Sequence, residues 1–169
     1  GENESLIPLT KKFDNLIVLR SLTKLFSIPG LRLGYMISSS KICENLNNLR
    51  DPWPVNSLAM QVGIKLLSNK EEYKKWIMKI HNWIKIEKKW ITNKLTKIRE
   101  IKVHESSTNF FLIESEDSLR EVINYLSRRK ILIRECSSFR FLDEKWARIS
   151  LQTHKKNQII ALELYKFFL

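Results

Sequence analysis

Apolar residues recur along this chain with two periods, and the places where the period changes outline its elements. Leu16-Ile17-Val18-Leu19 is a compact aliphatic run of the kind a buried strand presents, and Leu33 to Ile37 is a second. Ser38-Ser39-Ser40 then supplies cap residues for a short helix over Lys41 to Leu49, with Ile42, Leu46 and Leu49 on one face. Pro52 and Pro54 stop that element and set the approach to the next. There Asn56 or Ser57 is the cap, and Leu58, Val62, Leu66 and Leu67 form the inner face. After a break at Ser68-Asn69-Lys70, a long amphipathic helix begins near Glu71 or Glu72. Its apolar positions, from Tyr73 and Trp76 through Trp83 and Trp90 to Ile91 and Leu95, keep helical spacing. Glu71 and Lys75 are spaced as a supporting ion pair, whereas the residue four beyond Glu87 is the apolar Ile91.

Beyond Ile98 the period shortens. Strands are expected at Ile101 to Val103, Asn109 to Glu114, Ile131 to Ile133 and Trp146 to Leu151. A helix over Ser118 to Arg129 interrupts them and one over Lys155 to Phe168 ends the chain. Strands alternating with helices predict an α/β or α+β unit, with its boundary near residues 90 to 98. The tryptophans of the long helix read as packing anchors, because a base-stacking role wants a sheet face or an open groove.

The chemistry worth weighing lies between the first two strands, in Arg20-Ser21-Leu22-Thr23-Lys24-Leu25-Phe26-Ser27-Ile28-Pro29-Gly30-Leu31-Arg32. If both strands deliver this segment to their carboxyl ends, Ser21, Thr23 and Arg32 form an anion site with the Lys24 amine beside it. A lysine near a strand end, beside cations or apolar surface, can lose enough basicity to attack an aldehyde. A lysine in a polar loop is also commonly just solvated.

Composition narrows the alternatives. The 169 residues suffice for one domain or for part of a larger protein, and 43% hydrophobic content allows a sizeable core. Thirty basic against 18 acidic residues give +12, which permits contact with nucleic acid or an anionic membrane. No zinc-finger spacing, RNA-binding strand or recognition-helix pair accompanies the charge, so the lysines read as solvated and neither partner is expected. Cys43 and Cys136 lack metal spacing, and His81, His104 and His154 are scattered, so no metal site is expected. Glycines stand only at 1, 30, 34 and 63, which leaves no phosphate loop and no dinucleotide fingerprint. No apolar run reaches membrane-spanning length and no signal layout opens the chain, from which a soluble cytoplasmic protein is expected.

Several separated motifs, in order, resemble the fold-type I pyridoxal-phosphate enzymes of aminotransferase class I/II. Ser21-Leu22-Thr23-Lys24 resembles their cofactor-lysine box, and Gly30-Leu31-Arg32-Leu33-Gly34-Tyr35 their phosphate-binding arginine segment. Trp53-Pro54-Val55-Asn56-Ser57-Leu58-Ala59, Ser107-Thr108-Asn109-Phe110 and Arg148-Ile149-Ser150 continue the likeness. Asn15 to Lys24 and Ile133-Arg134-Glu135-Cys136-Ser137-Ser138-Phe139-Arg140 resemble most the threonine-phosphate decarboxylases of cobalamin biosynthesis, relatives of histidinol-phosphate aminotransferase.

The resemblance implies an α/β fold that is the carboxyl-terminal portion of such an enzyme. Residues 1–52 would be the last strands and helix of the large cofactor domain, 53–97 connecting helices, and 98–169 the small domain. It implies a pyridoxal 5'-phosphate cofactor joined to Lys24, which would also move the proton, and held at its phosphate by Ser21, Thr23 and Arg32. Arg148 would hold the substrate α-carboxylate, with Asn56 and Asn109 framing the substrate. Arg134 and Arg140 would meet a substrate phosphate unless they only solvate their loop, and Cys136 reads as packing rather than nucleophile. The substrate would be an amino acid or its phosphorylated form, the reaction decarboxylation or, alternatively, transamination, and the assembly a homodimer. A basic binding module or a structural remnant is the non-enzyme alternative.

The departures are as specific as the matches. The family's cofactor loop, ring-stacking aromatic and ring-nitrogen aspartate lie upstream of the lysine strand, and Asp14 is too close to Lys24 to be that aspartate. This chain is therefore expected to lack its amino-terminal half, to bind the cofactor weakly or not at all by itself, and to be inactive alone. The first two strands, inner and parallel in such a sheet, would then expose apolar surface over residues 16 to 37. His154-Lys155-Lys156 stands where the family often carries an acidic pair ahead of the asparagine, here Asn157.

Overall fold

The computed structural model describes residues 4–169. The chain forms two compact units, Gly1–Ile80 and His81–Leu169, and the division falls within its longest helix.

In the first unit a short 3-10 helix, Ile7–Lys11, leads into β1 (Val18–Ser21), which pairs with β2 (Gly34–Ile37). The pairing is antiparallel, with Ser21 opposite Gly34 and Val18 opposite Ile37. This corrects the expectation of parallel strands sharing their carboxyl ends. Ser21 and Lys24 follow the carboxyl end of β1, whereas Arg32 precedes the amino end of β2, so the segment between them is a connection from one strand back to its neighbour. The pairing also moves the first strand toward Ser21, because β2 begins at Gly34 and fixes the register. Leu19 is 77% exposed, as expected for a pair with no further sheet beside it.

Helices α1 (Ser40–Leu49) and α2 (Ser57–Ser68) follow. Asn56 caps α2, its Oδ1 accepting the Ala59 N–H at 2.8 Å. Gly34 is required by close approach: a Cβ there would lie 2.8 Å from the Arg20 carbonyl oxygen. Gly34→Ala is therefore expected to destabilise the first unit by about 2 kcal/mol. Denaturant unfolding followed by Trp76 fluorescence should show the lowered midpoint, and an unchanged midpoint would contradict the close approach.

The long helix α3 spans Lys70–Leu95, and Asn69 caps its start through bonds from the Glu71 and Glu72 N–H groups. In the second unit β3 (Ile101–Val103), β4 (Phe110–Ser115), β5 (Arg134–Glu135) and β6 (Trp146–Ser150) form an antiparallel sheet in the order β3-β4-β6-β5. One face, with Phe111, Ile113, Ala147 and Ile149, is buried against Ile91 and Leu95 of α3, Val122 and Leu126 of α4 (Arg120–Arg128) and Ile160 and Leu164 of α5 (His154–Phe168). Alternation puts Phe110, Leu112, Arg148 and Arg134 on the other face.

The strand expected at Ile131 to Ile133 is displaced. Helix α4 ends with Lys130 in the left-handed region (φ 62°) and the Ile131 N–H bonded back to Leu126 O. Sheet pairing with β6 begins only at Arg134. Among the described residues no helix is long and apolar enough to cross a membrane, and no cluster of His, Cys, Asp or Glu is arranged for a metal.

Candidate active site

The candidate residues divide between the two units. In the first, Leu22 is 2% exposed and anchors the turn after β1, its N–H bonded to Leu33 O at 3.1 Å. Further backbone bonds, Phe26 N–H to Leu22 O and Ile28 N–H to Thr23 O, fold the segment into a tight loop. Thr23 is buried within it, and its N–H donates to Ser21 Oγ at 3.3 Å. Lys24 is exposed, and its ammonium has no acidic partner among the described residues.

Two side chains of α3 clasp this loop. The Trp76 indole N–H donates to Leu25 O at 3.0 Å and the indole lies parallel to the Phe26 ring, while Tyr73 tilts against the same ring. Sequence periodicity identified Trp76 as an anchor but could not say that the anchored object is the Lys24 loop. Arg32 is exposed and left-handed (φ 50°, ψ 42°), a conformation that costs a non-glycine residue about 1 kcal/mol. The bonds of the loop on either side hold it there.

The second group lies on β5 and β6 of the second unit's sheet and on the chain between them. Arg148 is directly opposite Arg134, and on its other side opposite Leu112. Like charges facing across a strand pair repel. The Arg148 guanidinium rests over the Phe110 ring at 4.9 Å, and its Nε is buried with no hydrogen-bond partner. Arg134 donates to Ser138 Oγ at 2.9 Å and lies over the Phe139 ring. Arg140 instead lies over Phe141, an exposed aromatic at φ 69°. Cross-strand register thus joins Arg134 and Arg148, whereas Arg140 packs on its own neighbour Phe141.

Burial pushes the Cys136 thiol up, against the lowering influence of Arg148 and Arg134, so its thiolate forms only above the usual thiol range. Iodoacetamide at neutral pH should modify the half-buried Cys43 at least ~10-fold faster than Cys136, which should react freely only after unfolding. Peptide mass mapping checks this, and equal rates in the folded protein would contradict it.

Asn109 lies in the loop before β4, and its carbonyl accepts the Leu151 N–H at 2.8 Å. Lys88 of α3 secures this loop by donating to Ser106 O and Thr108 O, and its desolvation lowers the amine's pKa. Asn56, expected near the substrate, has its side-chain oxygen committed to the α2 cap.

A further polar cluster was not legible in the sequence. Glu87, 6% exposed, accepts from Asn157 Nδ2 at 2.9 Å and hydrogen-bonds His154 Nδ1 at 3.0 Å. Asn157 is fully buried, and it also donates to Gln152 O and accepts the Gln152 N–H.

Residues 1–163 match the sequence family described as aminotransferase class I and II. The chain belongs to this family. Histidinol-phosphate aminotransferase from Ruminiclostridium cellulolyticum is 33% identical over 161 residues, covering 95% of this chain and 43% of that protein. Among solved structures, the histidinol-phosphate aminotransferase of Clostridium acetobutylicum superposes with a TM-score of 0.87 at 28% identity, over 99% of this chain and 50% of that one. L-threonine-O-3-phosphate decarboxylase from Porphyromonas gingivalis superposes with a TM-score of 0.81 at 30% identity, over 95% and 49%. This member of the aminotransferase family thus spans about half the length of the relatives it matches. The family's enzymes depend on pyridoxal phosphate.

Proposed function

We propose that this chain is the substrate-binding and cofactor-anchoring portion of a pyridoxal-phosphate aminotransferase acting on a phosphorylated amino compound of the histidinol phosphate type. The observation that carries the substrate class is the Arg134–Arg148 pair. Two arginines in register on neighbouring strands, one with an unpartnered buried Nε, would be stabilised by a dianion held by both. Histidinol phosphate bears a phosphate and no carboxylate, so this pair would take the phosphate.

The donor set of the first unit fits the cofactor. Ser21, Thr23 and Arg32 would hold its phosphate, and the exposed, acid-free Lys24 amine would join its aldehyde. When bound, the cofactor supplies the electron sink that makes the substrate α-carbon acidic. Lys24 would remove and return the proton at that carbon, and Arg148, by holding the substrate, would select which bond at its α-carbon reacts. Presenting the C–H bond selects transamination, and presenting a carboxylate selects decarboxylation.

The relatives favour transamination, since histidinol-phosphate aminotransferases outnumber threonine-phosphate decarboxylases among them. This reverses the order in which the motifs alone ranked the two. The similarity to the Porphyromonas decarboxylase keeps decarboxylation as the second reading. Because the chain spans about half of its relatives, turnover would require the upstream part, which would also supply the rest of a homodimer's sites.

The test is a chimera in which this chain replaces the matching part of the Ruminiclostridium enzyme. With histidinol phosphate and a keto-acid acceptor it should yield the ketone and the new amino acid. Carbon dioxide release from O-phosphothreonine without keto-acid dependence would establish the second reading instead.

A further inference from the structure

The second unit contains a cavity of about 370 Å³ where the chain after α4 fails to join the sheet. It opens between residues 129–133, the end of β6 and the first turns of α5, and it is separate in composition from the Arg134–Arg148 pair, neither of which lines it. Its apolar walls are Ile131, Leu132, Ile133, Ile149, Ile159 and Ile160. The volume is about two and a half times the ~150 Å³ that lets an apolar cavity hold benzene, and it falls within the ordinary size of small-molecule sites.

The polar side of the cavity combines the neutral Ser150 and Gln152 with three cations. Arg129, Lys130 and Lys156 line it, and no carboxylate does. Arg129 is already compensated, its Nε bonded to Glu163 at 2.8 Å and its guanidinium over the Tyr125 ring. Lys130 and Lys156 have no acidic partner among the described residues. Lys130 is carried on the left-handed residue that ends α4, so its backbone is fixed by the helix cap. Lys156 lies in the first turn of α5, which holds no acidic residue and lacks a side-chain cap at Thr153. A cation there opposes the positive end of the helix dipole, and a bound anion would relieve both. Lys156, from the basic segment that departs from the family pattern in the sequence, therefore lines this cavity.

We propose that this cavity binds a small amphiphilic anion, a linear aliphatic carboxylate of about eight carbons, with its tail among the isoleucines and its head between Lys130 and Lys156. The site is independent of the proposed transaminase chemistry and uses none of its residues.

The test is titration of the 169-residue chain with sodium octanoate below its aggregation concentration, followed by amide chemical shifts, with octanol and inorganic phosphate as separate probes. Octanoate should bind saturably and shift residues 131–133 and 159–160. The double variant Lys130→Glu/Lys156→Glu should weaken binding by about tenfold or more, and Ile159→Trp, which fills the cavity, should abolish it, both with an unchanged thermal midpoint. Equal affinity for octanol would remove the role of charge, and equal affinity for phosphate would remove that of the tail. Either result, or octanoate binding that is absent or indifferent to these variants, would overturn the proposal.

Discussion

Replacing Asn157 with alanine is expected to destabilise the second unit by about 3 kcal/mol. Asn157 makes three bonds from a fully buried position, one to the Glu87 carboxylate and two to the Gln152 backbone. Its removal leaves Glu87 Oε2 with His154 Nδ1 alone and takes the side-chain partner from both the Gln152 N–H and the Gln152 carbonyl. Glu87→Gln should cost less, because a glutamine oxygen still accepts from Asn157 while the desolvated charge is gone. Asn157→Asp should be at least as harmful as alanine, since it sets a second acid against Glu87. Denaturant unfolding of the three variants provides the comparison. A loss below about 1 kcal/mol for Asn157→Ala would mean that the cluster contributes little.

Arg148→Met is expected to separate binding from stability. In the chimera it should lower kcat/KM for histidinol phosphate by about 100-fold, the effect of losing two charge-assisted hydrogen bonds to a phosphate. Thermal stability should hold or rise slightly, because the substitution removes an opposed like charge and a buried unpartnered Nε while methionine can still pack on Phe110. Arg148→Lys should recover little activity, since a point charge lacks the planar fork. An arginine that merely filled space would give the reverse pattern, with stability falling and kcat/KM nearly unchanged.

How much of this was legible in the sequence depended on whether the signal was local. Helix α3 was readable because its apolar positions repeat over seven turns, and the α2 cap because Asn56 directly precedes an apolar period. Strand β3 matched its expected bounds, since Ile101-Lys102-Val103 alternates cleanly. The Ile131 to Ile133 strand did not form because the helix end captures the Ile131 N–H, a choice that strand propensity does not encode. The antiparallel sense of β1 and β2 was equally hidden, since two short apolar runs carry no direction.

The candidate site shows the same division. Lys24 and its neighbours were singled out because the motif is contiguous, and Arg148 because it resembles a family pattern. Their physical setting was not readable: the opposition of Arg148 and Arg134 depends on strand register, and the clasp of Trp76 on the Lys24 loop depends on packing. Glu87 was passed over as an unpaired helix residue, because its partners His154 and Asn157 are far along the chain.

The central claim is that Lys24 is the cofactor's covalent anchor, and borohydride reduction of the cofactor-loaded chimera tests it most directly. Mass mapping should find the reduced pyridoxyl group on the peptide that carries Lys24, and Lys24→Ala should abolish both the label and the visible absorbance band. A label on a different lysine, or the same total label in Lys24→Ala, would contradict the account.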